Sequence, residues 1–262
     1  MNNSIVVVVL ASAVAYGTPL LYAALGELLT ERSGVLNLGV EGMMLVGAVM
    51  GFLAVQRVGG PAGVVLPAAI AVAALAGGVA ALILAFLVIT LRANQIVSGL
   101  ALTIFCGAAG LSSYLGNDFN LADDPARYSF EAVNSFGLDD LPVVGPVLFG
   151  QTWLVYASWV CVVVVGYYLS RTRPGLNVRA VGESPAAADA MGISVTKYRY
   201  LHTIAGGAFA GTVGDCRAGS RRNCCRADGS IWVQGYSWPR NSRSARSDSP
   251  RRQFDSAEGG VA

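Results

Sequence analysis

Two small sets of polar residues stand inside runs that are otherwise apolar. The first is Asn37 and Glu41, four residues apart within Val35–Val55. On a helix that spacing puts both side chains on one face. An ionisable group at membrane depth is costly, so it marks a polar pathway or a paired partner. Two roles fit Glu41: direct contact with a solute, or bracing of the bundle by a hydrogen bond as a neutral acid. The second set, Asn94, Gln95 and Ser98, opens a later apolar run. Amides offer donors and acceptors together, which a neutral polyhydroxylated ligand requires. For Asn94 and Ser98 the alternative is a cap on a helix start at the membrane interface.

A third segment, residues 171–199, is polar and sharply punctuated. Ser184 and Pro185 are an N-cap and N1 pair, Ala186–Met191 continue the helix, and Gly192 ends it. A helix so short and so bounded is a rigid knob, with a plain connecting loop as the alternative.

Other chemistry has no visible site. The one Lys, Lys197, does not follow Gly, so no Walker A loop exists. With one His and no nucleophile elbow, a hydrolytic site is missing too. The chain reads as a non-enzyme with no cofactor. Cys216, Cys224 and Cys225 lie near His202 in sequence but fit no paired zinc spacing, so no metal is expected. Cys106 and Cys161, in apolar runs, read as inert buried thiols.

The elements that position these residues follow from composition. The 262 residues are 54% hydrophobic and 13% charged, with mean hydropathy +0.54. Soluble domains carry about 25% charged residues. The chain is therefore an integral membrane protein, an all-α polytopic bundle. About 20 apolar residues cross a bilayer as a helix. Candidate spans are Ile5–Leu25, Val35–Val55, Pro61–Leu91, Ala93–Leu115 and Thr152–Leu169, with a sixth starting near Tyr200. Met1–Ser4 carries no basic residue, so the first run reads as a retained span, not a cleaved signal. The third run is long enough to tilt. The second, with Asn37, Glu41 and four glycines after Gly34, reads as a span that is broken or partly re-entrant. Gly47-x-x-x-Gly51 and Gly207-x-x-x-Gly211 predict close helix packing within the bundle.

Loop charge sets the orientation. Residues 171–199 hold Arg171, Arg173, Arg179, Lys197 and Arg199, whereas residues 116–151 hold six acids against Arg127 alone. The positive-inside rule places 171–199 in the cytoplasm, Arg32 and Arg92 on that side, and the N-terminus outside.

The chain changes character at Asp215. The run Tyr200–Gly214 is too short to cross before Asp-Cys-Arg intervenes. Residues 215–262 hold nine Arg with many Ser and Gly and no structural period, a composition that predicts disorder. A basic tail of this kind suits anionic lipid or nucleic acid. The preferred explanation is a shifted reading frame, since a span halted in mid-membrane has no physical rationale. On that explanation no nucleic-acid partner is expected, and sequencing the gene checks it.

The stretch Thr30-Glu31-Arg32-Ser33-Gly34-Val35-Leu36-Asn37-Leu38-Gly39-Val40-Glu41-Gly42 closely resembles a signature of the membrane permease subunits of ABC importers. The matching branch takes in ribose-type sugar, branched-chain amino acid and nucleoside permeases, and the nucleoside and simple-sugar group fits best. Arg179–Ala188 with Gly192 resembles that family's coupling helix, which docks on the ATPase subunit. The resemblance covers about residues 5–214. It implies a permease domain over 1–214 that is truncated relative to the family, with 171–199 as its coupling loop. It also implies residues Gly182, Glu183, Ala187, Ala188 and Gly192 for ATPase coupling, and a pathway near Asn37, Glu41, Asn94, Gln95 and Ser98. The implied partners are an ATPase subunit, a second homologous permease, an extracytoplasmic binding protein and the lipid of the cell membrane. The implied cargo is nucleosides, with simple sugars next. Two alternatives stand beside this: a secondary transporter or channel with Glu41 as a proton site, and a truncated product without function.

Overall fold

A computed structural model describes residues 2–58, 61–107, 110–118, 152–218, 232–233 and 236–237. The acidic segment expected outside the membrane lies almost wholly beyond the described residues, as do Cys224, Cys225 and most of the tail.

The architecture is an all-α bundle. Helix α1 runs Asn2–Arg32, α2 Val40–Arg57 and α3 Ala62–Ala85. A π-helical turn, Phe86–Thr90, continues α3. Helix α4 is Gln95–Cys106, α5 Leu111–Asp118 and α6 Trp153–Arg171. Helices α7 (Arg173–Glu183) and α8 (Pro185–Ala190) lead into α9 (Val195–Ala218). Among the described residues, four helices are long and apolar enough to cross a membrane: Val9–Arg32, Val40–Arg57, Gly63–Thr90 and Trp153–Arg171.

Two expected spans are corrected. The second begins at Val40, because residues 34–39 are not helical. The fourth is cut at Gly107, whose backbone is extended and which stands before a second glycine, Gly110. Ser112 Oγ donates to the Cys106 carbonyl that the broken helix leaves free. The remaining 12 residues of α4 make a rod of about 18 Å, little more than half the hydrocarbon thickness. The composition boundary at Asp215 is likewise no helix boundary, since α9 runs on to Ala218. In the tail, Trp232–Val233 and Tyr236–Ser237 form a short antiparallel pair.

Helix α9 sits at the centre, against α1, α2 and α3. Glycines make this possible. A Cβ on Gly47 would fall 2.6 Å from the Gly211 Cα, and a Cβ on Gly211 would fall 3.0 Å from the Gly77 Cα. Helix backbones that meet this closely gain dispersion energy, the main source of association where lipid cancels the hydrophobic effect. Both Gly207 and Gly211 thus serve packing inside the chain. Met43, Leu84, Ala81, Ala210 and Leu102 fill the main core, while Leu25 and Leu29 join α1 to Val165 and Leu169 of α6.

Candidate functional site

The segment between α1 and α2 is built by local chemistry. Gly34 takes φ +83, a left-handed backbone that glycine accepts without steric cost. Ser33 Oγ donates to the Thr30 carbonyl at 2.7 Å, closing the end of α1. Asn37 is 2% exposed. Its Oδ1 accepts from the Gly39 N–H at 3.1 Å, an Asx-type bond that competes with helix formation. Asn37 therefore precedes the helix that carries Glu41, and the expected shared helical face does not exist. Glu41 is exposed in the first turn of α2, where a carboxylate complements the helix dipole.

Helix α4 holds this extended segment in place. Gln95 Oε1 accepts from the Leu36 N–H at 2.8 Å. Thr103 Oγ1 donates to the Leu38 carbonyl at 2.9 Å. Gly99 lets the chains touch: a Cβ there would stand 2.8 Å from the Leu38 Cβ. Gly39 and Gly42 face Leu102, Thr103 and Cys106 in the same way. Non-helical backbone survives at membrane depth only when protein satisfies it, and α4 supplies that protein. Asn94 is the N-cap of α4, its Oδ1 accepting from Ile96 and Val97 N–H at 3.0 and 3.4 Å. Ser98 is buried one turn further on. Of the five residues expected to line a pathway, Asn37, Asn94 and Gln95 thus bond to backbone, Ser98 is buried and Glu41 is exposed. The structure brings Leu36–Leu38 and Gln95 together.

The segment 171–199 has its own order. Thr172 caps α7, accepting from the Gly175 N–H at 3.2 Å, and Pro174 stands in its first turn. Gly175, Val178 and Val181 form its buried face. Helix α7 lay within an expected loop, although the Thr172-Arg173-Pro174 start and the 175/178/181 spacing are its sequence signals. The short helix expected from Ser184 to Gly192 is present as α8, with Pro185 at its first position. Gly192 takes φ +80. Gly192 N–H donates to the Asp189 carbonyl at 2.9 Å and Ile193 N–H to the Ala188 carbonyl at 3.0 Å, a Schellman closure leading straight into α9. Glu183 and Ala187 are exposed, Ala188 is buried, and Met191, 82% exposed, forms a projecting tip.

The two sequence motifs meet. A Cβ on Gly34 would lie 3.3 Å from both the Gly182 Cα and Arg199 Nη2, and a Cβ on Gly182 would strike the Arg32 carbonyl. Glu31–Gly34 thus rests on the end of α7 with no side chain between.

Sequence reasoning missed a polar turn at the start of α9. Tyr198 Oη accepts from Asn177 Nδ2 at 2.9 Å. Tyr200 Oη shares a hydrogen bond with Thr90 Oγ1 of the π-turn. His202 is 3% exposed and lies between the rings of Tyr168 and Tyr198. Its Nδ1 is 2.8 Å from the Tyr198 carbonyl. A carbonyl only accepts, so Nδ1 carries the hydrogen, and in the neutral ring Nε2 accepts from Tyr168 Oη at 3.0 Å. Its ring and Cys216 sit on one helix 14 residues apart, about 21 Å by helical rise.

The sequence is similar to those of known proteins. The family described as "Branched-chain amino acid transport system / permease component" matches residues 9–223. A putative glucose ABC transporter permease protein of Haloferax volcanii is 40% identical over 232 residues, 86% of this chain and 65% of the relative. A guanosine ABC transporter permease protein of Bacillus subtilis is 34% identical, covering 79% of this chain and 66% of its own length. A nucleoside ABC transporter permease protein of Lactococcus lactis is 32% identical with the same coverage. The chain spans just under two thirds of the length of these relatives. No solved structure matches it.

Proposed function

Because the chain belongs to the branched-chain amino acid transport system permease-component family, we propose that it is a membrane subunit of an ATP-driven importer. Its cargo is a nucleoside or a simple sugar, the two classes named in its relatives. The ATPase is a partner subunit that docks on α8, with Met191 and Ala187 at the contact and Glu183 and Gly192 fixing the helix. A second permease and an extracytoplasmic binding protein complete the assembly, and the N-terminus faces outside. The pathway runs beside Asn37, Glu41, Asn94, Gln95 and Ser98.

One observation carries this reading: the Glu31–Gly34 turn lies directly on Gly182. A push on the α7–α8 knob reaches the extended segment 35–39 through backbone contact alone. Solute movement then needs only different affinities in the two arrangements of the bundle. The test is reconstitution in liposomes with an ATPase and a binding protein. Solute should raise ATP hydrolysis, and uptake should stop without ATP. Gly192→Val, which forces a β-branched residue into φ +80, should leave binding-protein docking intact and abolish the solute response of the ATPase. Uptake that follows a proton gradient without ATPase would overturn the proposal.

A further inference from the structure

Four residues in the first turns of α9 each reach a different part of the molecule. Tyr198 bonds Asn177 of α7. The Arg199 guanidinium lies against Gly34 of the α1–α2 turn. Tyr200 bonds Thr90 at the end of α3. His202 bonds Tyr168 of α6. This one turn thus touches four elements, three of them through side-chain hydrogen bonds. It also follows α8 after a Schellman closure of four residues, so displacement of α8 is delivered to it with little slack.

Its Tyr200 arm ends on an unusual link. Phe86–Thr90 is a π-turn, with Leu91 N–H donating to the Phe86 carbonyl at 3.1 Å and Ala93 N–H to the Leu87 carbonyl at 3.1 Å. Arg92 follows at φ +52, the one non-glycine residue with positive φ among those described. Both features cost energy and mark a place where a helix is interrupted for a purpose. Two residues later α4 begins, the half-helix that holds Leu36 and Leu38.

We propose that the turn Tyr198–His202 is the junction that splits motion of α8 between the two breaks in the regular α-helices, residues 33–39 and 86–94, with Tyr200 positioning the second. This rests on the transport reading above. Motion reaches the first break through Arg199 and Gly182 and the second through the Tyr200–Thr90 hydrogen bond. The two breaks then shift together, because Gln95 and Thr103 tie them to each other. Without the Tyr200 arm, displacement reaches α4 only through its bonds to residues 36 and 38.

The assembled importer in proteoliposomes tests this through solute delivered per ATP hydrolysed. Tyr200→Phe and Thr90→Val should each lower that ratio about fivefold, the effect of one hydrogen bond lost at a hinge. ATP hydrolysis should continue. The double variant should be no worse than either single one, since both remove the same bond. Thr90→Ser, which keeps the hydroxyl, should restore the wild-type ratio. A purely structural role would instead lower the amount of assembled complex and leave the ratio unchanged. An unchanged ratio in Tyr200→Phe, or losses that add in the double variant, overturns the junction while the transport reading stands. A wild-type complex whose ATPase ignores solute overturns both.

Discussion

The middle of the bundle and its coupling end are held by opposite means. In the middle, α9 touches α2 and α3 backbone to backbone through Gly47, Gly77, Gly207 and Gly211. No polar side chain is needed there, because regular helices satisfy their own hydrogen bonds. At the end that carries α7 and α8 the backbone is interrupted at 34–39, where Gln95 and Thr103 satisfy it, and again at 86–94, where Tyr200 bonds the Thr90 side chain. The first arrangement resists any change of separation, since close-packed backbones have no rotamers to adjust. The second yields by exchanging directional bonds. A stiff rod with compliant joints at one end is the mechanical layout of a lever, and it needs both regions to differ in this way.

The largest expected effect comes from breaking the stiff region. Gly47→Val places three extra carbons against the Gly211 backbone, where even the first has no room. Overpacking of this kind costs about 1–3 kcal/mol or more. The folded chain should be lost, seen as failure to recover a monodisperse peak in detergent. Next in size is Gly182→Val at the boundary of the two regions. Its added side chain collides with the Arg32 carbonyl, on a turn that can move. The protein should accumulate and bind its ATPase, while solute-stimulated hydrolysis falls about tenfold, the effect of a lost contact worth about 1.4 kcal/mol.

Smaller still is Gln95→Leu in the compliant region. It leaves the exposed Leu36 N–H without its acceptor and should lower stability by about 0.5–1.5 kcal/mol. Thermal unfolding in detergent checks this, and Gln95→Glu, which keeps an acceptor, should recover most of the loss. The smallest effect is expected at Glu41→Gln. Glu41 is exposed and bonds to neither break, so ATP-driven uptake should persist within twofold, and a protonophore should leave it unchanged. Abolished uptake in that variant would mean that a proton moves with the solute, and the compliant region would then be a proton gate.

Much of this layout was legible in the sequence, but unevenly. The charge pattern put residues 32, 92 and 171–199 on one side, and they meet at one end of the bundle. Pro185 and Gly192 delimited α8 because N1 proline and C′ glycine act through local sterics. Asn37 was misread as helical because an apolar run with four-residue spacing looks the same whether or not it coils. Beyond its own bond to Gly39, what holds the segment open is Gln95, 59 residues from Leu36, and Thr103, 65 residues from Leu38. No window of local sequence contains that. The hydrogen bonds of Tyr198, Tyr200 and His202 escaped for the same reason, since Asn177, Thr90 and Tyr168 lie on other elements; the cut in α4 is local, its freed Cys106 carbonyl met by Ser112 six residues on.

The central place of α9 also bears on how the chain is made. Its contact surfaces on α1, α2 and α3 are complete about 130 residues before Gly207 and Gly211 are translated. At about 5–20 residues per second, those three helices wait on the order of ten seconds for the helix that fills the slot between them. Among the described helices, the keystone is therefore delivered after the three it joins. During that interval the glycine faces of the earlier spans are covered by lipid or by the insertion machinery, so the bundle closes only when translation has passed the coupling segment.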